Sequence, residues 1–255
     1  MGKILAFSNQ KGGVGKTTTC VNMSAYLASL NKKVLLIDMD SQGNATTGLG
    51  YNKSALKNSI YNVIIDSVKI SEVVIKTEIP NLSLLPSSID LAGAEVELVY
   101  LKGRDKRLAS MIEEIRDDYD YITIDCPPSL GLLTINALSA ADAAIIPIQA
   151  EYYAMEGLSQ LINTVKLVTR LNEKLKIEGV VLTMYDNRAI ISRQIADEIR
   201  KYFGKKVYDT VIPRNIRISE APSHGVPIML HDPKCSGAKA YYDLTREFLA
   251  KEDKI

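Results

Sequence analysis

The stretch NQKGGVGKTTT, Asn9 to Thr19, decides the fold because it places a glycine-rich turn between two regular elements. The apolar run KILAFS (3–8) precedes it and predicts a strand, and a helical pattern begins at about Thr17. A strand, a glycine-rich turn and a helix in this order form the context in which a loop binds phosphate. The partial positive charge of the helix N-terminus is directed at the same anion.

Two residue types give this loop its expected chemistry. Its three glycines let backbone N–H groups approach phosphate oxygens, since no Cβ intervenes. Lys16 is expected to reach the β- and γ-phosphates, and Thr17 to place its hydroxyl on Mg²⁺. The pattern G-x-x-x-x-G-K-[ST] has glycine where this chain has Gln10. The predicted ATP-binding segment comprises Lys11, Gly12, Gly13, Val14, Gly15, Lys16, Thr17 and Thr18.

Acidic residues at two further strand ends complete a predicted magnesium site. YITIDCPPS (121–129) is an apolar strand ending in Asp125, and its two prolines stop the strand because neither can donate to the ladder. LLIDMDSQGNAT (35–46) ends a strand that we expect beside the strand of the glycine-rich loop. There Asp40 is expected to orient or deprotonate the attacking water, and Asp38 to support the loop and the metal. The predicted Mg²⁺ ligands are Thr17, Asp38, Asp40 and Asp125.

Short apolar runs alternate with helical patterns along the whole chain. Most runs are continuous, which predicts strands covered on both faces and a mostly parallel sheet. Strands are predicted over 3–8, 33–40, 81–87, 121–128, 143–149, 178–186 and 206–213, and helices over 17–30, 104–118, 131–140, 154–174, 189–203 and 236–251. The alternation predicts an α/β fold, in which a doubly wound sheet is flanked by helices. With the glycine-rich loop of a P-loop protein at its start, we expect a single domain over 1–255. Segment 51–103 is expected to pack as helices and loops on one edge.

Composition excludes several classes of protein. The formal net charge of +1 is too small for a strongly basic protein, so any contact with nucleic acid requires a local patch. Cys20, Cys126 and Cys235 form no CxxC and no even set, which disfavours a disulfide framework and fits a reducing cytosol. Neither a signal peptide nor a run of 18 apolar residues is visible, so we expect a cytoplasmic protein.

Four motifs in order resemble one family. KGGVGKTTT, LLIDMDSQGNAT, YITIDCPPSLG and VIPRNIRISEAPSHG look like those of the deviant Walker A ATPases, and among these of the ParA/Soj partition proteins. The resemblance spans nearly the whole chain. It implies a slow ATPase that uses ATP and Mg²⁺, forms a homodimer around ATP and returns to monomer on hydrolysis. In the family the first loop lysine touches the partner's ATP, which would account for Lys11. The residues expected to carry catalysis are Lys11, Lys16 and Asp40.

The resemblance also implies a base pocket and partners. In the family the loop after the strand predicted at 206–213 lines the adenine pocket, here Pro213, Arg214 and Asn215. A proline-fixed loop end offers an apolar wall, and an asparagine offers a donor and an acceptor to the base. The expected macromolecular partners are double-stranded DNA, bound without sequence preference on the nucleoid, and a ParB-type protein. A basic N-terminal segment of that protein would stimulate hydrolysis at the dimer interface.

A local basic patch is the candidate DNA surface. Segment 186–217 holds eight basic and four acidic residues, an excess larger than the charge of the entire chain. Arg193 and Arg200 are seven residues apart and therefore lie on one helix face. The candidate DNA-binding residues are Arg188, Arg193, Arg200, Lys201 and Arg217.

Three other kinds of protein carry a similar loop. MinD-like proteins bind membrane through an amphipathic C-terminal helix, whereas the tail here (238–255) mixes acidic and basic residues and predicts a closing helix. Nitrogenase-type iron proteins need two cluster-binding cysteines, and Cys126 has no counterpart in a comparable loop. A metabolic ATP-using enzyme would need a second pocket. His224 and His231 do not indicate one, because no carboxylate or cysteine stands at metal-ligand spacing from them.

Overall fold

The computed structural model describes residues 1–151, 162, 166 and 168–252, which fold around one sheet of seven strands. The strands are β1 (Lys3–Phe7), β2 (Val34–Asp38), β3 (Ile75–Lys76), β4 (Leu82–Leu85), β5 (Tyr121–Asp125), β6 (Ala143–Gln149) and β7 (Lys176–Thr183). Their order across the sheet is β3-β4-β2-β5-β1-β6-β7. Neighbouring strands are parallel except at one edge, where β3 runs antiparallel to β4. The mostly parallel sheet is confirmed.

Helices cover both faces of this sheet. They are α1 (Lys16–Ser29), α2 (Asn44–Gly48), α3 (Ile60–Ile64), α4 (Ile70–Val73), α5 (Leu91–Leu98), α6 (Arg107–Ile112), α7 (Leu132–Ala140), α8 (Ile190–Phe203), α9 (Ile216–Glu220), α10 (Ile228–His231) and α11 (Ser236–Glu252). Segment 51–103 supplies α3, α4 and α5 together with the edge strand β3 and its neighbour β4. The helix predicted over 154–174 lies largely outside the described residues.

Strand β1 illustrates why the sheet must be covered on both sides. Ile4 and Ala6 belong to one apolar core, and Leu5 and Phe7 belong to the core on the opposite face. Alternate side chains of a strand point to opposite faces, so a continuous apolar run has a buried position for every residue. Full burial of one such large side chain contributes about 1.5–3 kcal/mol. The double coverage therefore follows directly from the apolar runs.

The predicted position of β2 beside β1 is wrong. Strand β5 lies between them and pairs with both, so that Asp125 is in register with Phe7 on one side and Asp38 on the other. All three strands are continuous apolar runs, and such runs hold no information about which of them are neighbours. The insertion of β5 places the carboxylates of Asp38 and Asp125 on adjacent strand ends.

The strand predicted over 206–213 is also wrong. This segment runs beside β7, and the N–H groups of Tyr208 and Ile212 donate to β7 carbonyls at 3.0 and 2.8 Å. Between them, the N–H groups of Asp209 and Thr210 donate instead to the carboxylate of Glu247, both at 2.9 Å. The Glu247 side chain of α11 thus binds the N–H groups of two residues that lie between the two contacts with β7, and two isolated bridges remain.

Candidate nucleotide-binding site

The glycine-rich loop connects β1 to α1 at the carboxyl edge of the sheet. Gly13 and Gly15 have φ values of 74° and 83°, a left-handed conformation that glycine adopts without strain. A Cβ added at Gly12 or Gly13 would meet no atom of the protein within 4 Å. The loop therefore leaves open space above its backbone, where a phosphate group has room to bind.

Two side chains that sequence reasoning missed fix this loop to the sheet. The Thr183 hydroxyl at the end of β7 donates to the Val14 carbonyl at 2.8 Å. The Asn9 amide donates to the Pro147 carbonyl at 2.7 Å and accepts from the Lys11 N–H at 3.0 Å. These bonds join the loop to β6 and β7. Asn9 opens the quoted stretch and could have been noticed there, but Thr183 gives no local signal.

Lys16 lies buried beneath the loop, with 6% of its surface exposed. Its Nζ donates to the Lys11 carbonyl at 3.1 Å, within the turn of the loop. Burial lowers the pKa of Lys16, while the nearby Asp125, Cys126 and Asp40 act to raise it. A buried ammonium with one hydrogen bond to the protein has donors left for phosphate oxygens.

Asp125 is fully buried at the end of β5. Within the described part of the chain, neither of its carboxylate oxygens accepts a hydrogen bond of acceptable geometry. Burial raises the pKa of Asp125 well above its usual range and the charge of Asp38 adds to this rise, whereas Thr17 and Lys16 oppose it. A buried carboxylate with too few donors is costly unless a cation or its bound water completes the site. The residues present therefore fit Mg²⁺.

Asp38 and Asp40 have different surroundings. Asp38 is fully buried, with one oxygen accepting from the Asp40 N–H at 3.2 Å and the other from the N–H and hydroxyl of Thr46 at 2.8 and 2.7 Å. Burial raises the pKa of Asp38 to about 6, and the bonds from Thr46 and Asp40 act against the rise. Asp40 accepts from the Gln42 N–H at 2.9 Å. Asp38 thus holds the loop after β2, and its direct contact with metal stays a prediction.

Lys11 differs from Lys16 because its ammonium contacts a residue outside the loop. Its Nζ lies 3.5 Å from a carboxylate oxygen of Glu151, and its side chain is one-third exposed. The same carboxylate lies 3.6 Å from the guanidinium of Arg214. Sequence reasoning missed Glu151, which follows β6 and gives no motif signal. The structure therefore brings the first loop lysine and the predicted base-pocket loop to one acidic side chain.

The predicted base-pocket residues line a cavity of about 220 Å³ beside the P-loop. Gly15, Thr18 and the segment Pro213–Asn215 contribute to its wall. The Asn215 side chain caps α9 by accepting from the Arg217 N–H at 2.8 Å, and it donates to Ser236 at 2.9 Å. One amide hydrogen and one lone pair of Asn215 remain for a ligand. The assignment of this cavity to the base, and its specificity, stay predictions.

Ion pairs reduce the charge of the candidate DNA patch. Arg193 is exposed on α8 and forms no ion pair with any described residue. The other four candidates are paired: Arg188 with Asp186 (3.1 Å), Arg200 with Asp197 (3.7 Å), Lys201 with Glu198 (2.8 Å) and Arg217 with Glu220 (3.0 Å). A neighbouring carboxylate therefore offsets the charge of four of the five candidate residues.

Comparison with known proteins agrees with this geometry. Residues 2–177 match a family described as an AAA domain. The chain is 56% identical over 251 residues to the Bacillus subtilis sporulation initiation inhibitor protein Soj, covering 98% of this chain and 99% of that protein. It is 49% identical over 253 residues to the chromosome partitioning protein ParA of Caulobacter vibrioides, covering 98% and 95%. The chain belongs to the ParA/Soj family.

A solved structure supports the same fold assignment. Cobyrinic acid a,c-diamide synthase from Mycobacterium smegmatis, with bound ATP analogue and magnesium, matches with a TM-score of 0.85 and 36% identity. The match covers 96% of this chain and 93% of that one. This ParA/Soj protein therefore has a P-loop NTPase fold, as the glycine-rich loop predicted.

The last helix and the cysteines are the features of this ParA/Soj protein that bear on the membrane and iron–sulfur alternatives. Its tail helix α11 buries its apolar face against α1, with Tyr241 and Phe248 fully enclosed. None of the described helices is long and apolar enough to cross a membrane. Cys20 and Cys126 are both buried, and burial raises the pKa of both thiols, Cys20 well above its usual range. A buried neutral thiol is a poor cluster ligand.

The two histidines of the chain contact each other, which their sequence spacing did not predict. The ring centroids of His224 and His231 are 4.7 Å apart, and His231 lies 3.7 Å from Glu220. A carboxylate companion is thus present. Even so, among the described residues no third histidine, cysteine or carboxylate side chain joins them in a group that could hold a metal.

Proposed function

We propose that this chain is an ATP-driven switch in DNA segregation. With ATP bound it dimerises and binds DNA without sequence preference on the nucleoid, and hydrolysis returns it to monomer. The observation that carries the proposal is the contrast between its two loop lysines. Lys16 is buried under the loop, whereas the Lys11 ammonium is partly exposed and lies 3.5 Å from the exposed Glu151 carboxylate. A partly exposed cation beside a phosphate site is free to reach a second subunit.

In this proposal Thr17 and Asp125 hold Mg²⁺, directly or through water, with Asp40 nearby and Asp38 fixing the loop. The bound ion would neutralise charge that develops on the β- and γ-phosphate oxygens. Lys16 and the backbone N–H groups of the loop bind the same phosphates, and Pro213, Arg214 and Asn215 enclose the base. Asp40 then orients or deprotonates the attacking water. Because most of the catalysis is positioning, turnover is slow until a partner completes the site.

Dimerisation supplies the missing charge from the second subunit. Lys11 would leave Glu151 and contact the partner's ATP, in the manner of an arginine finger supplied in trans. ATP binding and dimerisation then become one event. A ParB-type protein with a basic segment would add a further positive charge at the interface and accelerate hydrolysis. The 49% sequence identity to a chromosome partitioning protein supports the proposed role in DNA segregation.

A metabolic ATP-dependent synthetase is the second candidate, favoured by the 36% identity to the cobyrinic acid a,c-diamide synthase structure. An ATPase assay discriminates the two. We expect random-sequence double-stranded DNA together with a basic ParB-type peptide to raise Mg²⁺-dependent turnover by at least about tenfold. Cobyrinic acid should leave turnover unchanged. Stimulation by cobyrinic acid alone would favour the synthetase.

A further inference from the structure

A serine from outside every sequence motif contacts the backbone of Asp40. Ser87 follows β4, the strand that neighbours β2 on the side away from β5. Its hydroxyl donates to the Asp40 carbonyl at 2.7 Å, and no part of Ser87 is exposed. The bond therefore lies in a dry environment, where its geometry is tightly held.

Ser87 closes a ring of hydrogen bonds around the loop after β2. Its N–H donates to the Thr46 hydroxyl at 2.9 Å, and that hydroxyl donates to Asp38 at 2.7 Å. Asp38 in turn accepts from the Asp40 N–H at 3.2 Å. The ring thus runs from Ser87 through Thr46 and Asp38 to Asp40 and back to Ser87. Both the N–H and the carbonyl of Asp40 are fixed by it.

We propose that Ser87 is a positioning residue that sets where the Asp40 carboxylate lies relative to the γ-phosphate. The inference rests on the proposed role of Asp40. The Asp40 carbonyl also accepts from the Gly43 N–H at 2.8 Å, but that bond lies within the turn and would move with it. The Ser87 hydroxyl ties the same carbonyl to the end of a separate strand, and this contact sets the direction in which the Asp40 side chain leaves the backbone. A displacement of about 1 Å at a reacting group is enough to cost orders of magnitude in rate.

A purely structural role for Ser87 predicts something different. Removal of a structural hydroxyl would lower stability and would affect ATP binding and turnover together, or neither. Removal of a positioning hydroxyl lowers kcat while the affinity for ATP is kept, because Lys16 and the loop that bind the phosphates do not contact Ser87. Comparison of the loss in kcat with the loss in ATP affinity therefore distinguishes a positioning role from a structural one.

The experiment compares Ser87→Ala and Ser87→Cys with wild type, Asp40→Ala and the matched control Ser88→Ala. Ser88 is the next residue along the chain, and its hydroxyl bonds to Ser59 and Asp90 rather than to Asp40. Phosphate release is followed with saturating Mg²⁺·ATP and random-sequence DNA, and Kd is measured with a fluorescent ATP analogue. Thermal unfolding of each variant is recorded beside these measurements.

We expect Ser87→Ala to lose roughly tenfold or more in kcat with Kd changed by less than about twofold. Ser87→Cys, which fills the same space with a weaker donor, should fall between Ser87→Ala and wild type. It also carries the test if Ser87→Ala does not fold. Ser88→Ala should match wild type. If Asp40→Ala is inactive but Ser87→Ala or Ser87→Cys keeps the wild-type kcat, the positioning role of Ser87 is wrong and the proposed function stands. Wild-type hydrolysis by Asp40→Ala overturns both this inference and the proposed function.

Discussion

At the scale of single residues, the two loop lysines differ in what holds them. Lys16 is buried, and desolvation lowers its pKa. Lys11 is one-third exposed and has Glu151 as its ion-pair partner at 3.5 Å. An exposed pair of this kind contributes about 0–1 kcal/mol, so release of Lys11 toward another subunit costs little. The surroundings of each lysine therefore suit a fixed role in one case and a movable role in the other.

We predict that Lys11→Ala keeps ATP binding by the monomer and loses turnover by roughly 10²-fold or more, by analogy with charges supplied in trans. Kd for ATP and phosphate release under saturating DNA measure the two effects. Lys33→Ala, an exposed lysine before β2, is the control and should behave as wild type. If Lys11→Ala loses ATP binding as fully as Lys16→Ala, then Lys11 acts on its own nucleotide and the trans role is wrong.

At the scale of elements, α11 binds the segment that leads into the predicted base pocket and holds it in place. The Glu247 carboxylate accepts two backbone N–H groups, from Asp209 and Thr210, and also pairs with Lys251 at 3.0 Å. These contacts hold segment 206–213 beside β7 and thereby fix where Pro213 emerges. One side chain thus connects the last helix to the wall of the nucleotide cavity.

We predict that Glu247→Ala lowers the free energy of unfolding by about 1 kcal/mol, because the partly buried N–H of Thr210 and the exposed N–H of Asp209 lose a charged acceptor. Urea unfolding measures the loss. The neighbouring exposed Arg246 provides a control, since Arg246→Ala should change stability by less than about 0.5 kcal/mol. Equal stabilities of the two variants would contradict the proposed connection.

Helix α8 is the second element that carries a prediction. Four of the five candidate DNA residues already have an acidic partner, whereas Arg193 has none among the described residues. A nearby carboxylate repels phosphate and lowers the net attraction of each paired residue. Arg193 should therefore contribute more to DNA affinity than Arg200 on the same helix face.

We predict that Arg193→Glu weakens DNA binding more than Arg200→Glu, and that neither variant prevents ATP-dependent dimerisation. Binding curves at several salt concentrations measure the effect, and loss of one phosphate contact should reduce the salt slope by about one. Lys239→Glu is a charge-matched control, because Lys239 is exposed on α11, across the sheet from α8. A larger loss of DNA affinity in Lys239→Glu than in Arg193→Glu would show that DNA binds on the opposite side of the sheet.

At the scale of the whole molecule, the net charge of +1 and the paired arginines predict weak DNA binding by one chain. A dimer doubles the number of phosphate contacts, and the salt dependence steepens with each released counterion. DNA binding should therefore depend on ATP. ATP-dependent dimerisation would then link the bound nucleotide to DNA affinity without any sequence-specific contact.

We predict that Asp40→Ala with saturating ATP accumulates as a DNA-binding dimer, because it binds ATP but hydrolyses it very slowly. Light scattering should give twice the monomer mass of 28.1 kDa. The same protein with ADP is the control and should remain monomeric. A monomer in the presence of ATP, or DNA binding of equal strength and salt dependence without nucleotide, would contradict the switch.

The sequence by itself determined the local part of this protein. The order of strand, glycine-rich turn and helix around Lys16, and the ending of β5 at Asp125, depend on turn chemistry and hydrophobic periodicity within a few residues. The chain can satisfy such requirements before it meets any distant segment. The continuous apolar runs also determined the layered fold, because strands of this kind need helices on both faces of the sheet.

Only the tertiary structure decided which distant segments meet. It placed β5 between β1 and β2, brought Ser87 to Asp40 and Thr183 to the P-loop, and replaced the strand predicted at 206–213 with contacts to Glu247. The physical reason is that apolar strands are nearly interchangeable as neighbours. Their order is set by the packing of the complete molecule, and hydrogen bonds between distant side chains can form only after that order is fixed.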